Sequence, residues 1–288
     1  MLDFRIKTFL CVCKYLNYTK AAEELHITQP AVSQQIHYLE DLYQVQLFMK
    51  EGRKIQLTSA GQMLYQSART ANNNEFILMK QLRFAKEELP LSFGITMTIG
   101  EFVISDPLAH YFQKHPQTNL QLILSNTSDL INRLREGSLH FALIEGNFNT
   151  KEFDSLLFTT EPFIPVCSME HTFIEENISL SDLFSEHLFL REPGSGTRNI
   201  LENYLTLENY SIDNFAKITE IGNMHIILEM VKRDLGITFL YQSAASQELL
   251  QHSLKTIPLK HFNITHDFTF IWAKQSLLSD NYHQICNE

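Results

Sequence analysis

Two short helical patterns share the stretch from Tyr18 to Leu42, YTKAAEELHITQPAVSQQIHYLEDL, and their closeness constrains the chain more than any other feature. Ala21, Ala22 and Leu25 recur at the spacing of one helix face, and Val32, Ile36 and Leu39 form the apolar stripe of the next. Helices this close must fold back onto one small core. Thr19 is placed to cap the first helix and Thr28 the second, with Pro30 in a first turn where a missing N–H does no harm. His26 and Ile27 make the turn. This is helix-turn-helix geometry, in which the second helix lies in a DNA major groove.

The polar positions suit that placement. Gln29, Ser33 and Gln34 point away from the stripe, and a glutamine amide can donate and accept together against adenine. Thr28 and Pro30 complete the expected reading turn, while Gln35, His37 and Tyr38 fit phosphate or neighbouring protein better. After Asp41 the segment VQLFMKEGRKIQLTSAG carries the anchors Leu47 and Phe48, a reversal at Glu51 and Gly52, and an extended return. That is a wing, from which Lys50, Arg53 and Lys54 reach phosphate or a minor groove; a solvated loop also carries such charge.

From Phe4 to Gly61 the chain resembles the DNA-binding domain of LysR-type transcriptional regulators, through Phe9, Ala21, Ala22, Leu25, TQPAVSQQI, Leu39, Glu40, Leu47, Phe48 and LTSAG. The resemblance implies a winged helix-turn-helix at 1–59, a linker and dimerisation helix at 60–89, and a two-lobed α/β effector-binding domain at 90–288. Lobe I would hold about 90–160 and 266–288, and lobe II about 161–265, with crossings near Thr160 and Thr265. Lys50 stands where the family commonly has arginine, which weakens a planar bidentate contact there.

Composition agrees with a globular protein of 288 residues, 44% hydrophobic and 19% charged. Asp3, Arg5 and Lys7 interrupt any signal-like start, and no apolar run approaches the roughly 20 residues that span a bilayer, so a cytoplasmic location is expected. The net charge of −10 is uneven: residues 1–90 carry 11 Lys or Arg against 9 Asp or Glu, residues 91–288 carry 12 against 24. Nonspecific DNA attraction is therefore local to the first part. Cys11, Cys13, Cys167 and Cys286 are too few and scattered for a disulfide framework, and read as packing residues. No metal site, cofactor or catalytic residue is expected.

The opening helix is expected from Asp3 to about Leu16, with Phe4, Phe9 and Val12 in the core. A long helix begins near Ala60 and continues to Ala85, with Leu64, Ala68, Ala71, Glu75, Leu78 and Leu82 returning every three or four residues; it serves as a dimerisation helix or a spacer. From Phe93 the pattern alternates: FGITM, LQLIL and FALIE read as strands, and the chain between Glu101 and His115 and between Ser128 and Glu136 as helix. FIPVC begins a second such unit, followed by HLFL, a helix after Thr197, a helix from Met224 to Lys232, GITFL and ITHDFTFIW.

Two loops carry the candidate effector chemistry. Thr96, Met97, Thr98, Gly100 and Glu101 lie where a strand passes into a helix, and hydroxyls and free N–H groups there can bind an anion. The segment REPGSGTR offers Gly194, Ser195, Gly196 and Thr197 as a flexible turn, with positive charge from Arg191 and Arg198. Arg191 alternatively pairs with Glu192 or Glu101. Asn126, Glu145 and Asn223 stand at similar transitions, where capping and turn formation explain them equally well. The expectation is a regulator controlled by a small anionic metabolite, with double-stranded DNA, a second copy of itself as dimer and tetramer, and the transcription machinery as partners, and no membrane. An enzyme with an appended DNA-like module lacks a triad, phosphate loop or nucleophile elbow in this sequence. An independently working solute receptor is the third alternative.

Overall fold

The computed structural model describes residues 2–51, 54–83, 91–173 and 178–288. The chain divides into two compact units, the first centred on residues 1–89 and counting Arg135–Gly137 and Ala273–Ser279 with it.

The first unit opens with α1 (Phe4–Tyr15), capped by Asp3 and closed by a left-handed Leu16. Phe4 is 58% exposed and takes no part in the core assigned to it; Ile6, Phe9 and Val12 make the buried face. Next come α2 (Tyr18–Glu24) and α3 (Gln29–Tyr43), joined through His26 at φ 54°. Asn17, not Thr19, caps α2, its side chain accepting from the N–H groups of Thr19 and Lys20. The Asn17 cap begins the helix two residues earlier than a Thr19 cap would. Thr28 caps α3 as expected, accepting from the Ala31 N–H at 3.4 Å. Ala21, Ala22, Val32, Ile36 and Leu39 pack with Phe9, Leu47 and Phe48 into one core.

The wing is β1 (Phe48–Glu51) and β2 (Lys54–Leu57), antiparallel with Phe48 opposite Leu57. The Leu47 N–H donates to the buried carboxylate of Glu40 at 2.8 Å, fixing where the hairpin leaves α3. In LTSAG, the Thr58 hydroxyl donates to the Gln46 carbonyl at 2.6 Å and accepts from the Gly61 N–H at 2.9 Å. Gly61 must be glycine because a Cβ there would stand 2.1 Å from the Leu47 carbonyl oxygen. α4 (Ser59–Arg83) then runs 25 residues, about 37 Å at 1.5 Å per residue. Leu64 and Ala68 pack on the core, whereas Phe76, Leu78, Met79 and Leu82 are exposed. The expected end at Ala85 lies outside the described residues.

In the second unit β3 (Leu91–Thr96), α5 (Met97–Phe102), α6 (Ser105–Lys114), β4 (Leu120–Ser125), α7 (Thr127–Arg135) and β5 (Phe141–Glu145) come first. The single helix expected between Glu101 and His115 breaks at Val103 and Ile104. Pro107 has no N–H for the Val103 carbonyl and disfavours helix in the residue before it, so the chain restarts instead of continuing. β3 pairs in parallel with both β4 and β5. The order is thus second, first, third, and the connections leave β3 in opposite directions, opening a crevice beyond the ends of β3 and β5.

β6 (Phe153–Ser168) is one strand of 16 residues, so FIPVC is its second half and not a new start. Beyond it lie β7 (His187–Leu190), α8 (Gly196–Leu207), β8 (Lys217–Glu220), α9 (Met224–Lys232), β9 (Thr238–Tyr241), α10 (Ser246–Leu250), β10 (Leu254–Thr256), β11 (Ile264–Ala273) and α11 (Ser279–Cys286). β7 pairs in parallel with β8, and on its other side a parallel bridge from Leu188 to Ile237 meets the chain entering β9. The second-first-third order recurs, with β6 antiparallel to β9 as β11 is to β5.

Candidate functional site

The polar side of α3 is open. Thr28, Gln29, Pro30 and Gln34 are exposed and Ser33 half-buried, while the apolar stripe faces inward. Gln35 is occupied: its side-chain carbonyl accepts from the Thr8 hydroxyl at 2.6 Å. Tyr38 lies under the Arg5 guanidinium, 3.9 Å from its ring centre, and His37 is within 3.2 Å of Glu40. Gln35 and Tyr38 therefore link α3 to α1, while the contact of His37 stays within α3. Lys50 is exposed on β1; Arg53 and the Lys54 side chain lie outside the described residues.

The second set of residues converges on Glu145, at the end of β5. Its Oε1 accepts from the Thr98 hydroxyl at 3.0 Å, on α5, and from the Thr197 hydroxyl at 2.9 Å, on α8. The carboxyl thus joins the two halves of the unit. The approach is tight enough to require glycine at the start of α8, because a Cβ on Gly196 would lie 2.4 Å from the Glu145 carbonyl oxygen. Thr127 also donates to that oxygen, at 2.8 Å, which seats α7 beside the crevice.

Several polar atoms around this junction are buried without a hydrogen-bond partner: Thr96 Oγ1, Glu145 Oε2, Arg191 Nη1, Ser195 Oγ, Tyr241 OH and Ser243 Oγ. Buried polar groups are nearly always satisfied, so such a set marks a place where a small polar molecule completes the bonding. Thr96 and Ser195 occupy the N-cap positions of α5 and α8, yet neither side chain caps its helix. At α8 the Thr197 N–H is given to the Glu145 carboxyl, and the remaining first-turn N–H groups keep their capacity for an acceptor.

The arginines are less free than the sequence suggests. Arg191 gives Nε and Nη2 to Glu192, at 2.8 and 3.1 Å. Arg198 is held by Glu202 and Glu220, both at 2.7 Å, and donates to the Arg191 carbonyl. Nη1 of Arg191 is buried without a partner. Burial pushes the Glu145 carboxyl up to about 7, against the lowering effects of Thr197, Thr98 and Arg191. Burial, reinforced by Glu145 and Glu161, holds the Tyr241 hydroxyl well above its ordinary value, so it remains a donor.

Other expected residues do structural work. Asn126 and Asn223 cap α7 and α9, accepting from the N–H groups of Asp129 and Ile226. Gly100 faces Leu124 on β4, and Met97 is half-buried in the first turn of α5. Glu101 lies 3.8 Å from His225 on α9, and Gly194 sits against Ser128. Sequence reasoning passed over Tyr241 and Ser243, although FLYQS is a strand end running into a helical turn, the same signal that picked out Thr96. An apolar cavity of about 80 Å³ lies beside α6, and an open polar depression of about 570 Å³ at His266 borders this cluster through Gly146. Size alone does not locate the convergent donors.

All four thiols are free, and burial raises Cys13, Cys167 and Cys286, which argues for packing over redox chemistry. Among the described residues no cluster of His, Cys, Asp or Glu could hold a metal ion, and no helix is long and apolar enough to cross a membrane.

Comparison with known proteins places this pair of units. Residues 5–62 match the model of the bacterial regulatory helix-turn-helix protein, lysR family, and residues 85–285 that of the LysR substrate binding domain. The chain belongs to the LysR family of DNA-binding transcriptional regulators, whose members act by binding and are not enzymes. It is 28% identical to the HTH-type transcriptional regulator CysL of Bacillus subtilis over 271 residues, 92% of this chain and 89% of CysL. The fold matches full-length LysG from Corynebacterium glutamicum with bound effector Arg, at TM-score 0.62 and 16% identity, covering 99% of this chain and 96% of LysG. It also matches the regulatory domain of CcmR from Synechocystis in complex with 2-PG, at TM-score 0.60 and 18% identity, over 68% of this chain and 95% of that domain.

Proposed function

We propose that this regulator reads a pseudo-palindromic operator as a dimer, assembled further into a tetramer, and is controlled in the cytoplasm by a small anionic metabolite. The observation that carries the effector reading is the pair of uncapped N-cap hydroxyls, Thr96 and Ser195, buried without partners beside the leftover Nη1 of Arg191. Two hydroxyls, a guanidinium N–H and the first turn of α8 make a donor set for a carboxylate or oxyanion. Met97, Thr98, Gly100 and Glu101 shape one wall; Gly194, Gly196, Thr197 and Arg198 shape the other. The solved relatives LysG and CcmR carry Arg and 2-PG. An effector of comparable size with an acid group fits the same kind of crevice.

In this reading the domains divide at 1–59, 60–89 and 90–288, with lobe I at about 90–160 and 266–288 and lobe II at about 161–265. A ligand touching both lobes shifts their relative populations and so the spacing of the DNA-reading heads. Gln29, Ser33 and Gln34 meet base edges, Thr28 and Pro30 set the first turn of α3, and Lys50, Arg53 and Lys54 meet the DNA backbone.

A thermal-shift screen of anionic metabolites tests the effector reading. A true effector at about 100 times its Kd stabilises by about 2.7 kcal/mol, and it should also alter operator binding. Thr96→Ala should weaken every hit while the unliganded melting temperature moves little, whereas Thr197→Ala should weaken every hit and also lower the unliganded melting temperature, because it removes a buried donor to Glu145. Ligand titrations unchanged in both variants would place the site elsewhere.

A further inference from the structure

Glu145 uses only one oxygen of its carboxyl. Oε1 accepts from Thr98 and Thr197, while Oε2 is buried with no hydrogen-bond partner. The start of α8 lies directly on this side chain, since a Cβ on Gly196 would stand 2.6 Å from Glu145 Cγ. An anion held by Ser195 and the first turn of α8 stands beside the Glu145 carboxyl, which already takes the Thr197 N–H and has Oε2 left without a partner. Two bare anionic oxygens in contact, away from water, repel strongly. One hydrogen between them turns that repulsion into a short charge-assisted bond.

Resting on the anion reading above, we propose that the crevice takes its anionic group together with one proton, held between Glu145 Oε2 and the ligand. Above neutrality, where Glu145 is ionised, a protonated oxyacid or a hydroxy acid brings the hydrogen with it and exchanges no proton with solvent, whereas a fully ionised oxyanion binds only as one proton leaves solvent for the Glu145 carboxylate. Below neutrality Glu145 already carries that hydrogen, and a fully ionised anion binds without proton uptake. Above neutrality the site thus selects hydrogen-bearing acids over fully ionised anions of the same shape.

The neighbouring charges agree with this assignment. Arg191 and Tyr241 are the ionisable groups that act on Glu145, and Tyr241 stays protonated. On α5, Glu101 faces His225; on α8, Arg198 is held by Glu202 and Glu220; on β11, Asp267 accepts from Thr160, and burial keeps His266 below its ordinary value. With burial dominant, the Glu145 carboxyl is placed near neutrality, where it can take up or release the hydrogen.

Calorimetry on the full-length protein with sulfate and inorganic phosphate as probes tests this. Sulfate stays fully ionised from roughly pH 6 to 9, so its affinity should fall by about tenfold per pH unit once Glu145 is ionised. In two buffers of different ionisation enthalpy near pH 8.5, about one proton should be taken up per sulfate bound. Phosphate, which keeps a hydrogen over this range, should bind more tightly than sulfate above neutrality. E145Q should bind sulfate without the pH slope, because the amide N–H donates without a proton from solvent. If E145Q fails to fold, the wild-type profile and proton count decide alone. A flat sulfate profile with no proton uptake, or a slope that survives in folded E145Q, overturns the proton while leaving the anion site standing. No binding of sulfate or phosphate by either protein at any pH overturns the anion reading as well.

Discussion

Glu145 makes the folded protein itself sensitive to pH. Its carboxyl stands near 7 in the fold against about 4.3 in an unfolded chain, so the folded state holds the proton more tightly. The associated stability is complete below about pH 4, and it is lost as pH rises through the folded value. At most it amounts to on the order of 4 kcal/mol. Measured against E145Q, the melting temperature of the wild type should therefore decline between about pH 5 and 8. A constant difference over that interval would mean the carboxyl is not desolvated. At the same scale, Gly196→Ala forces a Cβ into the Glu145 carbonyl and should abolish ligand response while DNA affinity is retained. Gly61→Ala pushes on the Leu47 carbonyl instead, and should cost about 1–3 kcal/mol of stability by overpacking, read by denaturant titration.

Among the elements, α3 shows what local rules can reach. Thr28, Pro30 and the Val32, Ile36, Leu39 stripe specify its start and its buried side, and the structure follows both. Replacing Gln29 or Ser33 should change which operator bases are preferred; equal losses on cognate and random DNA in a competition assay would mean neither side chain meets a base. α9 was equally legible, because Asn223 caps it and its apolar period is unbroken from Met224 to Lys232. Where reading failed, the deciding partner was distant in sequence or a neighbouring signal was stronger. The break between α5 and α6 is set by Pro107, which the helical periodicity masked. Thr98 and Thr197 were singled out as ligand contacts, but only the fold shows that both reach Glu145, from 47 and 52 residues away. Arg198 looked like a free cation because Glu220 is 22 residues distant. Tyr241 stands at a strand end of the kind that marked Thr96, but the apolar run before it masked the signal.

For the whole molecule, the uneven charge and the exposed apolar residues of α4 belong together. A DNA-reading unit with little excess positive charge gains little from phosphate attraction alone, and in the proposed dimer specificity would rest on two heads acting together. Phe76, Met79 and Leu82 recur at every third residue and are exposed, a stripe suited to a second copy of the helix. Leu82→Glu should weaken dimerisation in sedimentation velocity and with it operator binding, while each DNA-binding head keeps its fold. Dimers of unchanged strength would assign α4 to a spacer role. Lys50→Ala should lower DNA affinity nearly uniformly across sequences and flatten its dependence on salt by about one unit of slope.

β6 passes from one half of the effector unit into the other without a break over its 16 residues. Its first part lies beside β11 and its last part beside β9 and β10. A rotation of one half against the other cannot be concentrated at a single swivel. It has to be spread as torsion along a hydrogen-bonded ribbon, so the stiffness of the signal from crevice to DNA is a property of the whole strand.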